Sequence, residues 1–392
     1  MSARVEIAGV GMHQFGRFPD RSLKDLARVA IIRALDDAGL AIGDIDAVYS
    51  ANGMAGLLQG QEQIRGQTVL RDVGIERVPV VNVENACASG SSAFREGILA
   101  IRAGAARCVL VVGFEKMFVG DRDRTLRALE SAADLDVVGG LGLQFTAVYA
   151  MKLRKRLDEG SLSLDDLVNV TLKNRSNGAR NPLAQFQSEV TAEEVLAARP
   201  IAEPLTLLMC SAMSDGAAAA ILVAEGGAGR PDRPAVAVRA AQSLSGSTTD
   251  DEAQPTTAAL CALRAYEEAG LGPEDIQVAE VHDAMAPGEL LYYEQLGFCA
   301  AGDAAALLAS GATAIGGRIA VNPSGGLSAR GHPVGATGIA QIAELVWQLR
   351  GEAGRRQSGR PTIALAQNSG GWLEGEPAAV NVHILERMAP WI

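Results

Sequence analysis

The chain has 392 residues, 48% hydrophobic and only 4% aromatic, with 44 glycines and a formal net charge of −11. That length fills one large core or two ordinary ones packed from Ala, Val and Leu, and the acidic balance argues against general nucleic-acid binding. No apolar run reaches a membrane span, and Met1–Ile7 runs into strand-like sequence without a secretory leader, so the expectation is a cytoplasmic α/β enzyme with no membrane contact.

The first predicted strand is Val5–Val10. Apolar residues at helical spacing (Leu23, Leu26, Val29, Ala30, Leu35) predict a helix over Ser22–Ala38, stopped by Gly39, with a further apolar stretch at Ile45–Val48. Alternating strands and helices predict a mainly parallel sheet covered on both faces. The run Val78–Val83 reads as a buried strand. It breaks at Asn85-Ala86-Cys87-Ala88-Ser89-Gly90 and opens into a helical pattern through Phe94, Ile98, Leu99 and Ile101. Cys87 thus falls at or just before the first turn of a helix, where free amides and the positive end of the helix dipole favour thiolate over thiol. Small neighbours leave room for a substrate carbonyl, as a nucleophilic cysteine requires. The same stretch also reads as a small cysteine packed at a strand–helix junction.

Between 118 and 204 the alternation fails, which marks a long insertion. It carries the basic cluster Lys152-Leu153-Arg154-Lys155-Arg156 and the polar run Lys173–Pro182. Arg154 and Lys155 are candidates for holding phosphates, although any one such cation reads equally as part of a solvated face. Substrate walls are expected from this insertion, from Met285 and from around Trp372. Met213–Val223 then turns into a buried strand, and Glu225–Pro231 has linker chemistry.

Residues 30–45 align without a gap to 261–276, with Arg33 on Arg264, Gly39 on Gly270 and Asp44-Ile45 on Asp275-Ile276 at a constant offset of 231. The chain therefore reads as two similar α/β halves, the first comprising 1–118 and 205–228, the second 229–392, with 119–204 inserted in the first. Topological equivalence places the counterpart of the Cys87 turn near Val321–Gly326. The stretch Gly331-His332-Pro333-Val334-Gly335-Ala336-Thr337-Gly338 and another helical pattern follow. Two glycine-rich helix starts are thereby expected at the carboxyl ends of strands, where open α/β sheets bind ligands, and Ser324 and Gly325 are expected to line that substrate site.

Five cysteines without paired spacing indicate a reducing compartment, and four separated histidines with no CxxC leave no zinc pattern, so no metal is expected. Four stretches instead fit nucleophilic acyl chemistry. Cys87 would be the nucleophile and His332 the base that takes its proton. His282, beside Asp283 at the end of a predicted strand, would donate to an oxyanion. Asn368 follows the predicted strand Thr362–Leu365, and Gly370 would bring a backbone amide to a second oxyanion position.

These motifs resemble the thiolase superfamily over nearly the whole chain. Asn85–Gly90 is similar to the family's nucleophile motif, Gly331–Gly338 matches its GHPxGATG motif in full, and Ser214-Asp215-Gly216-Ala217-Ala218 and the Asn181-Pro182 region also resemble it. His282-Asp283 is similar to the sterol-carrier-protein-type branch. The resemblance implies duplicated α/β halves layered α-β-α-β-α, with coenzyme A as co-substrate and no bound cofactor. It implies that Cys87 attacks the keto carbon of a 3-oxoacyl-CoA, becomes acylated as the carbon–carbon bond breaks, and passes the acyl group to a second coenzyme A. His332 and His282 would stabilise the departing enolate, and the amides of Cys87 and Gly370 the tetrahedral adduct. It further implies a homodimer that pairs the first-half sheets, and a small zinc-ribbon/OB-fold (DUF35-type) partner subunit. Two departures stand out. Asn368 occupies the position of the family's second catalytic cysteine, and Ala284 the place of the cysteine that often follows His-Asp; neither residue shuttles a proton at neutral pH. Three readings follow: an atypical thiolase for a bulky or branched acyl group, a thiolase-like retro-aldolase acting on a hydroxyacyl-CoA, and a non-catalytic acyl-CoA-binding subunit.

Overall fold

The computed structural model describes residues 4–390 apart from 143, 228, 231 and 248–253. Of the expected linker Glu225–Pro231, Ala228 and Pro231 lie outside the described residues, as does Met1–Ala3 of the opening stretch. Among the described residues, twelve strands occur in chain order: β1 (Val5–Met12), β2 (Ala47–Ala51), β3 (Val80–Val83), β4 (Cys108–Lys116), β5 (Pro200–Ala202), β6 (Leu205–Thr206), β7 (Asp215–Ala224), β8 (Pro234–Ser245), β9 (Val278–Glu280), β10 (Ala320–Val321), β11 (Ile363–Gly370) and β12 (Ala379–Pro390). All but the β5–β6 pair join one ten-stranded sheet in the order β10-β9-β11-β12-β8-β1-β7-β4-β2-β3. The two sides of that order repeat each other about the β1–β8 contact, where Val5 faces Val238 and Ile7 faces Val236.

The repeat is visible in its caps. The helix Leu23–Ala38 starts at a Ser22–Asp25 capping box and ends at Gly39, which adopts φ +68°. Its counterpart Thr257–Ala269 ends at Gly270 with φ +67°. A short 3₁₀ turn follows each, at Ile42–Asp44 and at Pro273–Asp275. Only glycine adopts this left-handed cap without a Cβ penalty, so the aligned glycines mark equivalent helix ends.

Two features differ from expectation. The sheet is mixed, not mainly parallel. The pairs β2–β3, β2–β4, β9–β10 and β9–β11 are parallel, but β7 runs antiparallel to β1 and β4, and β12 antiparallel to β8 and β11. β12 follows β11 through a short connection, which permits only an antiparallel return. Nor is the Val78–Val83 run a buried strand: β3 is the sheet's last strand, paired to β2 alone, and Val81 is 46% exposed.

The core falls into layers. The helices Ser89–Arg102 and Thr337–Arg350 pack together between the two sides of the sheet, burying Phe94, Ile98, Ile339, Ile342 and Val346 completely. Leu26, Ile31 and Leu35 cover the outer face of the first half, and the helices Thr257–Ala269 and Gly288–Gln295 cover that of the second. This is the layered α-β-α-β-α arrangement of a duplicated fold. The stretch between β4 and β7 adds the helices Arg122–Glu130, Leu135–Val138, Phe145–Asp158, Leu164–Ala179 and Ala192–Ala197. Through Leu153, Leu167, Val170 and Val195 it packs into the core of the second half, roofing the sheet there.

Candidate active site

Cys87 sits in a tight turn between β3 and the helix Ser89–Arg102. Ala86, just before it, is held at φ +48°, a strained value for a residue with a Cβ. The turn is tied down locally: the Ala88 N–H donates to the Asn85 carbonyl at 2.9 Å, and the Ser89 hydroxyl to the Ala86 carbonyl at 2.6 Å. Asn322, just after β10 in the second half, also has positive φ, +52°. Gly370 must be a glycine for this turn to close, because a Cβ there would lie 2.2 Å from the Asn85 carbonyl oxygen and 2.4 Å from the Ala88 nitrogen.

His332 comes from the glycine-rich stretch before the helix Thr337–Arg350. Its backbone N–H donates to the Ser214 hydroxyl at 2.9 Å, and Ser214 in turn donates to Gln185 at 2.6 Å. Its ring Nδ1 lies 2.7 Å from the Thr337 hydroxyl, which itself donates to the Pro333 carbonyl at 2.9 Å. A hydroxyl has one proton, so Thr337 accepts from His332 Nδ1–H, and the Nε2 lone pair is left for the cavity. The glycine-rich stretch is also clamped to β4. The Glu115 carboxylate accepts from Asn52 Nδ2 (2.8 Å) and from the amides of Gly53 (2.9 Å), Met54 (3.2 Å) and Gly335 (3.1 Å).

His282 lies two residues beyond β9. Its backbone N–H donates to Gln367 at 3.0 Å, and its Nδ1 meets the Asn368 side-chain nitrogen at 2.9 Å. Asn368 and Gly370 do not follow a strand, as expected from the sequence, but form the end of one. β11 runs on through Gly370 because β12 pairs with it in unbroken register from Ile363–Glu386 to Gly370–Ala379. The fold brings Cys87, His282 and His332 together: one donor atom from each lies within 4.8 Å of the others, and the imidazoles stack edge to face with centroids 5.2 Å apart. They stand on the wall of a cavity of about 820 Å³, which Gly370, Met285 and Trp372 also line.

The electrostatics reverse one expectation. Burial first, then the nearby Glu115 charge, push the Cys87 thiol up to about 12 from an ordinary 9.0, although the Gly371 and Cys87 backbone N–H groups pull it down. The sulfur is only half-buried and faces the cavity, so the roughly 4 kcal/mol that this rise would represent is an upper figure. A helix dipole supplies roughly 0.3–1 kcal/mol, about 2 in favourable geometries, so burial wins. His282 is lowered to about 3 by burial and by Arg330, and His332 falls well below 6.5 by burial, then by His282 and Arg330. The resting site is a neutral thiol beside two neutral imidazoles.

Several sequence candidates lie elsewhere. Ser324 is fully buried, its hydroxyl donating to Glu280 at 2.7 Å and its carbonyl accepting from Asn181 at 2.9 Å. Gly325, at φ +99°, packs on Gly178. Neither lines the cavity, because the helix Leu164–Ala179 covers that turn. Asp283 is also fully buried and accepts from Leu327 N–H, the Ser328 hydroxyl and Asn174. Burial and the Glu289 charge raise its carboxyl well above the usual range, and its role is to hold the loop behind His282. Arg154 and Lys155 are outside the cavity and pair with Asp158 and Glu159 on the surface. Phe145, Val148, Tyr149 and Lys152 recur every three or four residues and share the inward helix face, from which Arg154 and Lys155 diverge. The cations that do line the cavity are Arg17, Arg122, Lys152 and Arg199. Sequence reasoning missed Thr337 and Glu115, and also Tyr149 and Tyr292 on the cavity wall. Only Thr337 was signalled locally, as part of Gly331–Gly338.

A family model for the thiolase N-terminal domain matches residues 5–226, and one described as thiolase C-terminal domain-like matches residues 239–386. The chain belongs to the thiolase family. The acetyl-CoA acetyltransferase of Methanothermobacter thermautotrophicus is 40% identical over 96% of this thiolase and 98% of its own length. Human sterol carrier protein 2 is 35% identical, over 94% of this chain and 70% of its own. The benzoylsuccinyl-CoA thiolase subunit BbsB of Thauera aromatica is 34% identical over 95% and 96%. Among solved structures, an Ltp2-ChsH2(DUF35) aldolase superposes with a TM-score of 0.82 at 27% identity, covering 98% of both chains. Human mitochondrial 3-ketoacyl-CoA thiolase in complex with CoA superposes at 0.73 with 18% identity over 99% and 98%, a likeness of fold. The protein is thus a thiolase-family acyltransferase with coenzyme A as its co-substrate. None of its helices, among the described residues, is long and apolar enough to cross a membrane.

Proposed function

We propose that this thiolase cleaves or forms a 3-oxoacyl-CoA carrying a bulky or branched acyl group, with Cys87 as the acyl carrier. His332 Nε2 takes the thiol proton as the sulfur attacks the keto carbon, which avoids a free buried thiolate. The tetrahedral oxyanion forms against the Cys87 amide and that of Gly371, whose N–H, rather than that of Gly370 as expected, reaches the Cys87 sulfur, and His282 donates to the oxygen of the departing enolate. Collapse breaks the carbon–carbon bond, its electron pair leaves on the departing acyl-CoA as an enolate, and a proton returns to that carbon. The incoming coenzyme A thiol then gives its proton to His332 and takes the acyl group, and the released Cys87 sulfur recovers that proton from His332. The observation that carries this reading is the convergence of Cys87, His282 and His332 within 4.8 Å on the wall of a cavity of about 820 Å³.

The size of that cavity and its apolar wall (Met117, Phe118, Leu129, Phe145, Met285, Trp372) support a bulky acyl group, and Arg17, Arg122, Lys152 and Arg199 offer charge for the phosphates of coenzyme A. The similarity to a benzoylsuccinyl-CoA thiolase subunit supports an aromatic substrate in a degradative route. A homodimer formed along the exposed edge β3, a cytoplasmic location and a small DUF35-type partner complete the proposal, the last supported by likeness to the Ltp2-ChsH2(DUF35) aldolase. That likeness also supports retro-aldol cleavage of a hydroxyacyl-CoA as a second reading, which has little use for the Cys87–His332 pair. Intact-protein mass after mixing with 3-oxoacyl-CoAs separates the two. An adduct on native protein, absent in Cys87→Ala and released by coenzyme A, supports acyl transfer; equal cleavage by both proteins without coenzyme A replaces it with lyase chemistry.

A further inference from the structure

His282 and His332 each engage the protein through Nδ1, which leaves Nε2 of each for the cavity, but the two Nδ1 partners have opposite character. Thr337 accepts from His332, since its single proton goes to the Pro333 carbonyl. Asn368 presents its amide nitrogen to His282 at 2.9 Å. An amide N–H donated to Nδ1 requires a lone pair there, so the proton of a neutral ring must sit on Nε2.

The other end of Asn368 explains why its amide takes this orientation. The side chain is fully buried in β11, and its Oδ1 lies beside Gly338, 2.8 Å from where a Cβ on that glycine would stand. The Ser91 backbone nitrogen lies 2.4 Å from the same point. Gly338 is in the first turn of the helix Thr337–Arg350, and Ser91 in the first turn of the helix Ser89–Arg102, each of 14 residues. Among the described residues Oδ1 has no hydrogen-bond partner of its own, and the first turns of both helices lie near it. The dipole ends favour a carbonyl oxygen over an NH₂ group at that place.

We propose that Asn368 is a positioning residue that holds His282 as an Nε2–H donor while Thr337 holds His332 as an Nε2 acceptor, so that the site carries one oxyanion donor and one base. The inference rests on the acyl-transfer reading for its catalytic meaning, though not for its geometry. An amide has no proton to exchange, so the proton taken from Cys87 stays on His332 Nε2 until the departing carbon receives it. The S–H bond breaks as Nε2–H forms; later Nε2–H breaks as the new C–H forms.

The test is nitrogen NMR on protein labelled at its four histidines (His13, His282, His332, His383), assigned with His282→Asn and His332→Asn. The expected result is Nε2–H at His282 and Nδ1–H at His332 in the substrate-free native protein. Nδ1–H at His282 would overturn the proposal whether or not an acyl-Cys87 is ever found. Near-isosteric Asn368→Asp should move the His282 proton to Nδ1 and lower kcat by about 10²–10³-fold, the loss expected for one oxyanion donor, with KM little changed. The introduced carboxylate raises the imidazole from its native value of about 3, so kcat should recover towards acid pH as His282 becomes cationic and regains Nε2–H. A variant that keeps native kcat, or loses it equally at every pH, refutes the positioning role. Failure of the acyl-transfer reading would instead show as a missing Cys87 adduct with both tautomers as stated.

Discussion

Cys87 in the substrate-free thiolase should react with iodoacetamide slowly at neutral pH and ever faster as the pH rises, with no plateau. Burial and the Glu115 charge place its thiol at about 12 against an ordinary 9.0. At pH 7 that corresponds to roughly one thiolate in 10⁵ molecules, and a cost for the free thiolate of at most about 4 kcal/mol. A solvent-exposed cysteine is a few per cent ionised at that pH, so Cys87 should alkylate about a thousandfold more slowly. A thiol raised in the folded state is stabilising at pH values below its ordinary 9.0, and that contribution is lost as the pH climbs through about 12. The assay is intact mass against time across a pH series, with peptide mapping to exclude Cys210, which lines the same cavity. A plateau that begins near about pH 6 would mean a resting thiolate–imidazolium pair, and the argument that burial outweighs the helix dipole would fail.

Three other outcomes are expected. Gly370→Ala drives a Cβ to 2.2 Å from the Asn85 carbonyl and 2.4 Å from the Ala88 nitrogen. It should cost about 1–3 kcal/mol in thermal unfolding and abolish the acyl adduct; a native melting curve with full acylation would contradict the close packing of that turn. Arg330, 1% exposed, pairs with fully buried Glu280 at 3.0 Å. Arg330→Met leaves that carboxylate without its ion-pair partner and should lose about 3–5 kcal/mol in denaturant titration, whereas a loss under about 1 kcal/mol would mean that Glu280 is protonated at rest. Zinc ion should inhibit reversibly through Cys87, His282 and His332, whose donor atoms lie within 4.8 Å of one another. Binding should tighten as the pH rises, because the thiol must lose its proton; inhibition that persists in Cys87→Ala would place the metal elsewhere.

Local sequence determined which features would recur and where the chain would turn. The Gly39 and Gly270 caps, the 231-residue offset and the turn that carries Cys87 all depend on neighbours a few residues away, as caps and turns do. The Gly331–Gly338 stretch likewise announced a functional helix start, and Thr337 was inside it. What contacts between distant segments set could not be seen there. β3 looked apolar enough to be buried and is an edge; β7 and β12 turned the sheet mixed because their direction depends on how the chain returns. Arg154 and Lys155 were the most visible cations of their cluster, yet helix phase turned Lys152 to the cavity instead. The protonation of Cys87 was the largest reversal, since a helix start argues for a thiolate. The tertiary structure decided for the thiol by half-burying the sulfur in an apolar cavity wall and setting Glu115 from β4 near it, and desolvation outweighs a terminal dipole.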